Sequence, residues 1–302
     1  MRQLLKHSLF ALISVAALAR ACPTAAAQDA PYDLVIREGK IVDGTGNPWC
    51  YGDLAVRGTK IVAMGRVPPR PAKREINARG LVVAPGFIDM HSHSDFTLLE
   101  DGNAQSKIRQ GVTTEVLGEG SSAGPRQGKL SPGRAALSSA AGGNKAEWST
   151  LGGYFDALER SRISTNVASF VGLGTVWQCV MGSSHERPTP AQFEQMKGLV
   201  EQAMKDGASG LSCMLMMPPD ALATTDDIVE LCKVVARYGG IYVTHIRNEG
   251  TGVFDAIREA IAIGRRAGIV VEILHIKIAD QLYWGRMNEV VKLIDDARKE
   301  GV

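Results

Sequence analysis

Between residues 31 and 80, short apolar runs are broken every few residues by Gly, Asp and Asn, as in YDLVIREGKIVDGTGNPWCYGDLAVRGTKIVAMGRV. Short runs at regular spacing with no helical period between them predict a small antiparallel β unit over residues 28–80. From Leu81 onward the pattern changes. Apolar, β-branched runs now alternate with stretches whose apolar residues recur at helical spacing. Six strands are predicted, ending near His93, Glu119, Gly172, Leu215, Arg247 and Lys277. In TPAQFEQMKGLVEQAMKDGAS, Thr189 is a good N-cap, Pro190 suits the first helical position, and Gln192 completes a capping box. Strand, helix and strand in turn make an α/β chain with a parallel sheet, whose working groups lie at the carboxyl ends of the strands. The stretch from Ser121 to Asn144 is rich in Ser, Ala and Gly and reads as an active-site loop or lid. At the end, VVKLIDDARKEGV is a helix followed by Gly301-Val302, where a seventh strand is expected. A closed parallel barrel needs eight strands, so residues 81–302 are expected to form an incomplete one.

Candidate chemistry enters with the histidines, six in all: His7, His91, His93, His185, His245 and His275. In GFIDMHSHSD, His91 and His93 are two apart. On a strand they would point to one side, with Ser92 facing away. Imidazole is a common metal ligand, yet an isolated His-x-His pair also suits two hydrogen-bonded surface histidines, so other ligands must decide. GGIYVTHIRNEG and GIVVEILHIKIAD place His245 and His275 at the ends of two further apolar runs. Lys277 follows His275 by two residues and Arg247 follows His245 by two, so each would share a side with its histidine. Asn248 and Glu249 are candidates to orient His245. His185, in MGSSHERPTP, reads as a solvated loop residue.

Composition narrows the class without naming it. The 302 residues are 45% hydrophobic and 22% charged, with a net charge of +2, as in ordinary globular proteins. No basic stripe interleaved with aromatics is present, which argues against a nucleic-acid partner. Residues 1–27 have the layout of a secretory signal peptide: Arg2 and Lys6, an apolar run from Leu9 to Ala19, then Ala25-Ala26-Ala27 before Gln28. The run is short for a bilayer span, and Arg20 argues against lipid attachment at Cys22. An exported protein, periplasmic or secreted and without stable membrane insertion, is expected. The four cysteines after the leader show no CxxC spacing. That excludes a disulfide-stapled small fold, leaves one bridge open, and makes Cys213 a small apolar packing group.

Taken together, VAPGFIDMHSHSD, GVTTEVLGEG, GASGLSCMLMMPP, YVTHIRNEG and ILHIK resemble the amidohydrolase superfamily, in particular the N-acyl-D-amino-acid deacylases, from about residue 31 to the end. The resemblance implies a (β/α)8 barrel of the TIM type, of which about six strands are present, beside a small β-sandwich built from both chain ends. It implies zinc, one or two ions per subunit, held by His91, His93, Glu119, His245 and His275. It gives Lys277 the role of pairing with the substrate carboxylate, and makes Arg247 a further substrate-binding candidate. The implied reaction is hydrolysis of a small-molecule N-acyl-D-amino acid to a carboxylate and a free D-amino acid by metal-activated water. The family's catalytic aspartate lies at the end of strand eight. No residue of this chain matches it, so no base is assigned, and residues 1–302 alone are expected to be inactive. FVGLGTVW departs from the family in carrying Leu173 where members often have histidine, which bears on the choice of substrate. Two other readings stand beside this one. A cyclic-amide hydrolase of the dihydroorotase or hydantoinase kind shares GFIDMHSHSD but uses a strand-four lysine, absent from GLSCMLMM. A truncated, non-catalytic relative would at most bind metal.

Overall fold

The computed structural model describes residues 30–130 and 148–302. The expected signal peptide and most of the expected lid lie outside the described residues. The chain divides into two compact units, with the boundary between Pro85 and Gly86.

In the first unit, β1 (Tyr32–Ile41) is central, and β2 (Cys50–Arg57) and β3 (Lys60–Gly65) follow it antiparallel. The β2–β3 turn pairs Arg57 with Lys60, which leaves two residues in the loop. Gly58 takes φ +57° there, as a tight two-residue hairpin requires. The expected wholly antiparallel unit is not what forms. β4 (Ala72–Asn77) and β5 (Val82–Val83) both join β1 in parallel, because the chain crosses back before pairing again. The five strands make one sheet, and Tyr32, Val35, Ala55 and Val67 form its core.

The second unit has the six expected strand positions, all paired in parallel. They are β6 (Phe87–Asp89), β7 (Val112–Leu117), a third position split into β8 (Asn166–Ser169) and β9 (Val171–Gly172), β10 (Gly210–Met214), β11 (Ile241–His245) and β12 (Val271–Ile273). The split at Phe170 divides the pairing into two sheets, β6-β7-β8 and β9-β10-β11-β12. Among the described residues no ladder joins β6 to β12, so a closed barrel is not formed. Even so, the rings of His91 and His275, which follow those two outer strands, have centroids 5.1 Å apart. The parallel array therefore curves enough to bring its first and last strand ends together.

Helices cover the array: α1 (Thr97–Glu100), α2 (Gln105–Ile108), α3 (Leu151–Ser161), α4 (Leu173–Met181), α5 (Pro190–Lys205), α6 (Thr225–Ala236), α7 (Val253–Ala267) and α8 (Met287–Lys299). The capping box read at Thr189 and Gln192 is present at the start of α5. Trp177, Tyr154, Met196, Leu211, Ile228 and Leu231 are fully buried in one core cluster beneath these helices. Burial of side chains of this size contributes roughly 1.5–3 kcal/mol each, and this contribution holds the strand ends in place. Leu173 opens α4 inside that core rather than in solvent. All four cysteines of the described residues are free, and Cys213 is buried as expected of a small apolar group. No helix of the described residues is long and apolar enough to cross a membrane.

Candidate metal centre

The strand ends deliver the histidines, though not by the geometry expected at His91 and His93. β6 stops at Asp89, so the pair sits on the loop beyond it. Its convergence is imposed from behind. The Ser92 N–H donates to the Val116 carbonyl at 3.0 Å. The Ser92 and Ser94 hydroxyls both donate to Oε2 of Glu115, at 2.7 and 2.6 Å. Glu115 is fully buried on β7, and its Oε1 accepts from Thr165 Oγ1 at 3.0 Å. With Ser92 and Ser94 tied back, His91 and His93 face forward, and their Nε2 atoms lie 3.0 Å apart.

Glu119 occupies the middle of the site. It follows β7 between Gly118 and Gly120, which have φ +88° and +61°. A Cβ on Gly118 would meet the Phe170 carbonyl oxygen at 2.3 Å, and one on Gly120 would meet Met214 Cβ at 2.8 Å. Only glycine fits on either side of this carboxylate. Glu119 Oε2 lies 2.7 Å from His91 Nε2 and 3.2 Å from His93 Nε2. Its Oε1 lies 3.7 Å from His245 Nδ1 and 3.5 Å from His275 Nε2. One carboxylate thus reaches all four histidines. Burial acts to raise its pKa, but the hydrogen bonds from His93 and His91 prevail and hold it at about 2. In return Glu119 raises the pKa of His93, while burial lowers that of His245.

His275 takes φ +35°, uncommon for a residue with a side chain. That twist follows the end of β12, and it sets the His275 ring 4.5 Å from that of His245, centroid to centroid. Glu249 closes the far side. It is buried, with Oε1 at 3.5 Å from His245 Nε2 and 3.3 Å from His275 Nδ1, and it accepts a hydrogen bond from Lys277 Nζ. Lys277 also reaches His275 Nδ1 at 3.1 Å.

Two donor groups follow, His91-Glu119-His275 and His245-Glu249-His275. Within each, the potential ligand atoms lie within 4.8 Å of one another. The fit to a metal has a direct sign: Glu119 Oε1 is buried and accepts no hydrogen bond, yet two imidazole nitrogens face it. Neutral imidazoles with carboxylate oxygens suit zinc and similar cations.

Several residues stand elsewhere than expected. Arg247 does not join the cluster. Its guanidinium is occupied by Glu259, with Nε–Oε2 and Nη2–Oε1 both 2.9 Å, and by the carbonyls of Ala221 and Ala223 at 3.2 and 3.0 Å. The turn after His245 ends the strand alternation, so the two-residue rule fails there. Asn248 does not orient His245, because its Oδ1 accepts from the N–H groups of Gly250 and Gly252. His185 is an exposed loop residue. Sequence reasoning missed Glu115 and weighed Glu249 only as a partner of His245. The available signal at Glu115 was an acid in the otherwise uncharged strand VTTEVL.

The profile of the amidohydrolase family matches residues 74–268. The D-aminoacylase of Alcaligenes xylosoxydans xylosoxydans is 38% identical over 268 residues, covering 88% of this chain and 55% of that protein. A solved structure of N-acyl-D-glutamate deacylase from Bordetella bronchiseptica, complexed with zinc and a phosphonate inhibitor, matches with a TM-score of 0.83 at 35% identity. That match covers 90% of this chain and 57% of the other. An L-hydantoinase from Arthrobacter aurescens, covered to 56% by 89% of this chain, matches at 17% identity with a TM-score of 0.57, a likeness of fold alone. The chain spans little more than half the length of these relatives.

Proposed function

Since this chain belongs to the amidohydrolase family, we propose that it forms the metal-binding part of a zinc-dependent N-acyl-D-amino-acid deacylase, exported from the cell and built on a (β/α)8 barrel. The observation that carries this reading is the Glu119 carboxylate within reach of His91, His93, His245 and His275. Similarity to D-aminoacylase and to a zinc-bound N-acyl-D-glutamate deacylase supports the substrate class.

His91, His93, His245 and His275 would hold one or two zinc ions, with Glu119 as the shared anionic ligand. When bound, zinc supplies Lewis-acid polarisation of the acyl carbonyl and an ionised water near neutral pH. The protein's own share is to aim the four imidazoles at one point, with the Glu119 carboxylate within reach of each. Glu119 offsets positive charge at the centre, and Glu115 fixes the loop that carries His91 and His93. Lys277, held by Glu249 at the rim, would turn its ammonium to the substrate carboxylate. No catalytic base is assigned among residues 30–302. The cyclic-amide reading finds less support, since β10, GLSCM, carries no lysine to bridge two metals.

The test is zinc analysis with hydrolysis assays on the protein that carries this chain. One or two zinc ions per chain and release of free D-amino acids from N-acetyl-D-amino acids are expected. Zinc-loaded protein that leaves those substrates intact but opens hydantoins or dihydroorotate would replace this reading with the cyclic-amide one.

A further inference from the structure

Beside His93 lies a cavity of about 500 Å³ in the second unit, lined among others by Asp95, Arg126, Gln178, Met214 and Asp220. Arg126 stands out in it. The loop that bears it is pinned at three points: Arg126 N–H to the Ser149 carbonyl at 2.9 Å, Trp148 Nε1–H to the Ala123 carbonyl at 2.8 Å, and Lys129 N–H to the Cys179 carbonyl at 2.7 Å. Its guanidinium carbon sits 5.9 Å from the ring centroids of both Phe96 and Trp148, which are themselves stacked 6.4 Å apart. Contact with two aromatic faces holds the guanidinium against a rigid surface.

Nothing among the described residues neutralises this cation. Among the described residues it has no ion-pair partner, and burial lowers its pKa with no carboxylate to offset the effect. Arg247 and Lys277, by contrast, are engaged by Glu259 and Glu249. The two acids of the cavity do not serve Arg126. Asp220 Oδ2 accepts the Met214 N–H at 2.7 Å, and burial pushes its carboxyl well above the usual range. Asp95 Oδ1 is buried and accepts no hydrogen bond, from Arg126 or from any other described residue. A half-buried, unpaired charge is costly to keep, and a bound carboxylate would relieve that cost through paired N–H donors.

We propose that Arg126 binds a carboxylate of the N-acylated amino acid in this cavity, an inference that rests on the deacylase reading above. The carboxylate has two sources, the α-carboxylate present on every substrate or the side chain of N-acyl-D-glutamate and N-acyl-D-aspartate.

The experiment is calorimetric binding, with initial rates alongside, on the zinc-loaded protein. The probes are N-acetyl-D-leucine, N-acetyl-D-leucinamide, N-acetyl-D-glutamate and N-acetyl-D-glutamine. Parent, Arg126→Gln and Arg126→Met are compared at equal zinc content. The methionine variant retains the packing against Phe96 and Trp148. Loss of the guanidinium is expected to weaken a carboxylate ligand by at least about 10-fold relative to its amide partner. If the loss separates glutamate from glutamine, the side chain is the ligand. If it separates leucine from leucinamide, the α-carboxylate is. Variants that bind all four probes as the parent does overturn the proposal and leave the deacylase reading standing. A zinc-loaded parent that binds none of them overturns both.

Discussion

The Ser92 hydroxyl donates to the buried Glu115 carboxylate at 2.7 Å, and Ser94 donates to the same oxygen at 2.6 Å. His93 lies between these serines, so an acid behind the loop governs how the histidine pair in front is presented. Thr165 and Lys107, the latter 3.7 Å away, complete the surroundings of Glu115.

Replacing that acid should loosen both fold and site. Glu115→Ala removes the carboxylate to which Ser92, Ser94 and Thr165 donate, and two of these, Ser92 and Thr165, are buried. The expected loss of stability is roughly 2–4 kcal/mol. Glu115→Gln, which keeps one acceptor oxygen, should lose less. Denaturant midpoints measured with and without zinc check this. The alanine variant should also gain less stability from zinc than the parent, because free ligand geometry is a condition of tight binding.

Glu119 is predicted to act on metal affinity first. Glu119→Gln keeps the shape but removes the charge that faces four histidines. Zinc affinity should fall beyond the ~10–100-fold typical of changes behind the ligands. Competition with a chelator of known affinity reads this without reference to turnover, and unchanged affinity would remove Glu119 from the ligand set.

Arg247 and Lys277 should part company. Arg247→Ala breaks a pair with Glu259 and frees two backbone carbonyls, so a cost of roughly 1–3 kcal/mol in stability is expected, with zinc content preserved. Lys277→Ala should leave zinc content intact and raise KM for N-acyl-D-amino acids. Thermal melts beside steady-state kinetics distinguish the two, and a normal KM in the Lys277 variant would reject its substrate role.

Asp220, which is not among the candidate ligands, supplies a pH test. Burial disfavours its ionised form, which raises its pKa in the folded chain above the ordinary value of 3.8. The unfolded chain therefore releases this proton first as pH rises. Stability is lost progressively above pH ~3.8 and levels off beyond the folded pKa. Asp220→Asn, which keeps an oxygen for the Met214 N–H, should remove that loss and gain on the parent as pH rises from 5 to 8. Parallel denaturation curves over that range check the sign.

Local pattern was enough for much of this molecule. Apolar runs bounded by Gly and Pro located all six strand positions, and the Thr189–Gln192 capping box located the start of α5. His245 and His275 could be placed at strand ends because a parallel sheet presents its carboxyl edges together. Motif resemblance added Glu119. Tertiary structure decided the rest, because those features depend on partners far apart in the chain. Whether Arg247 meets substrate or Glu259 depends on how α7 docks, twelve residues further on. The roles of Glu115 and Glu249 depend on Ser92 and Lys277, 23 and 28 residues away. The parallel pairing of β4 and β5 with β1, and the division of the third strand at Phe170, follow from which neighbour each backbone segment meets. A single strand's hydrophobic pattern records which face is buried. It does not record the direction or identity of the strand beside it.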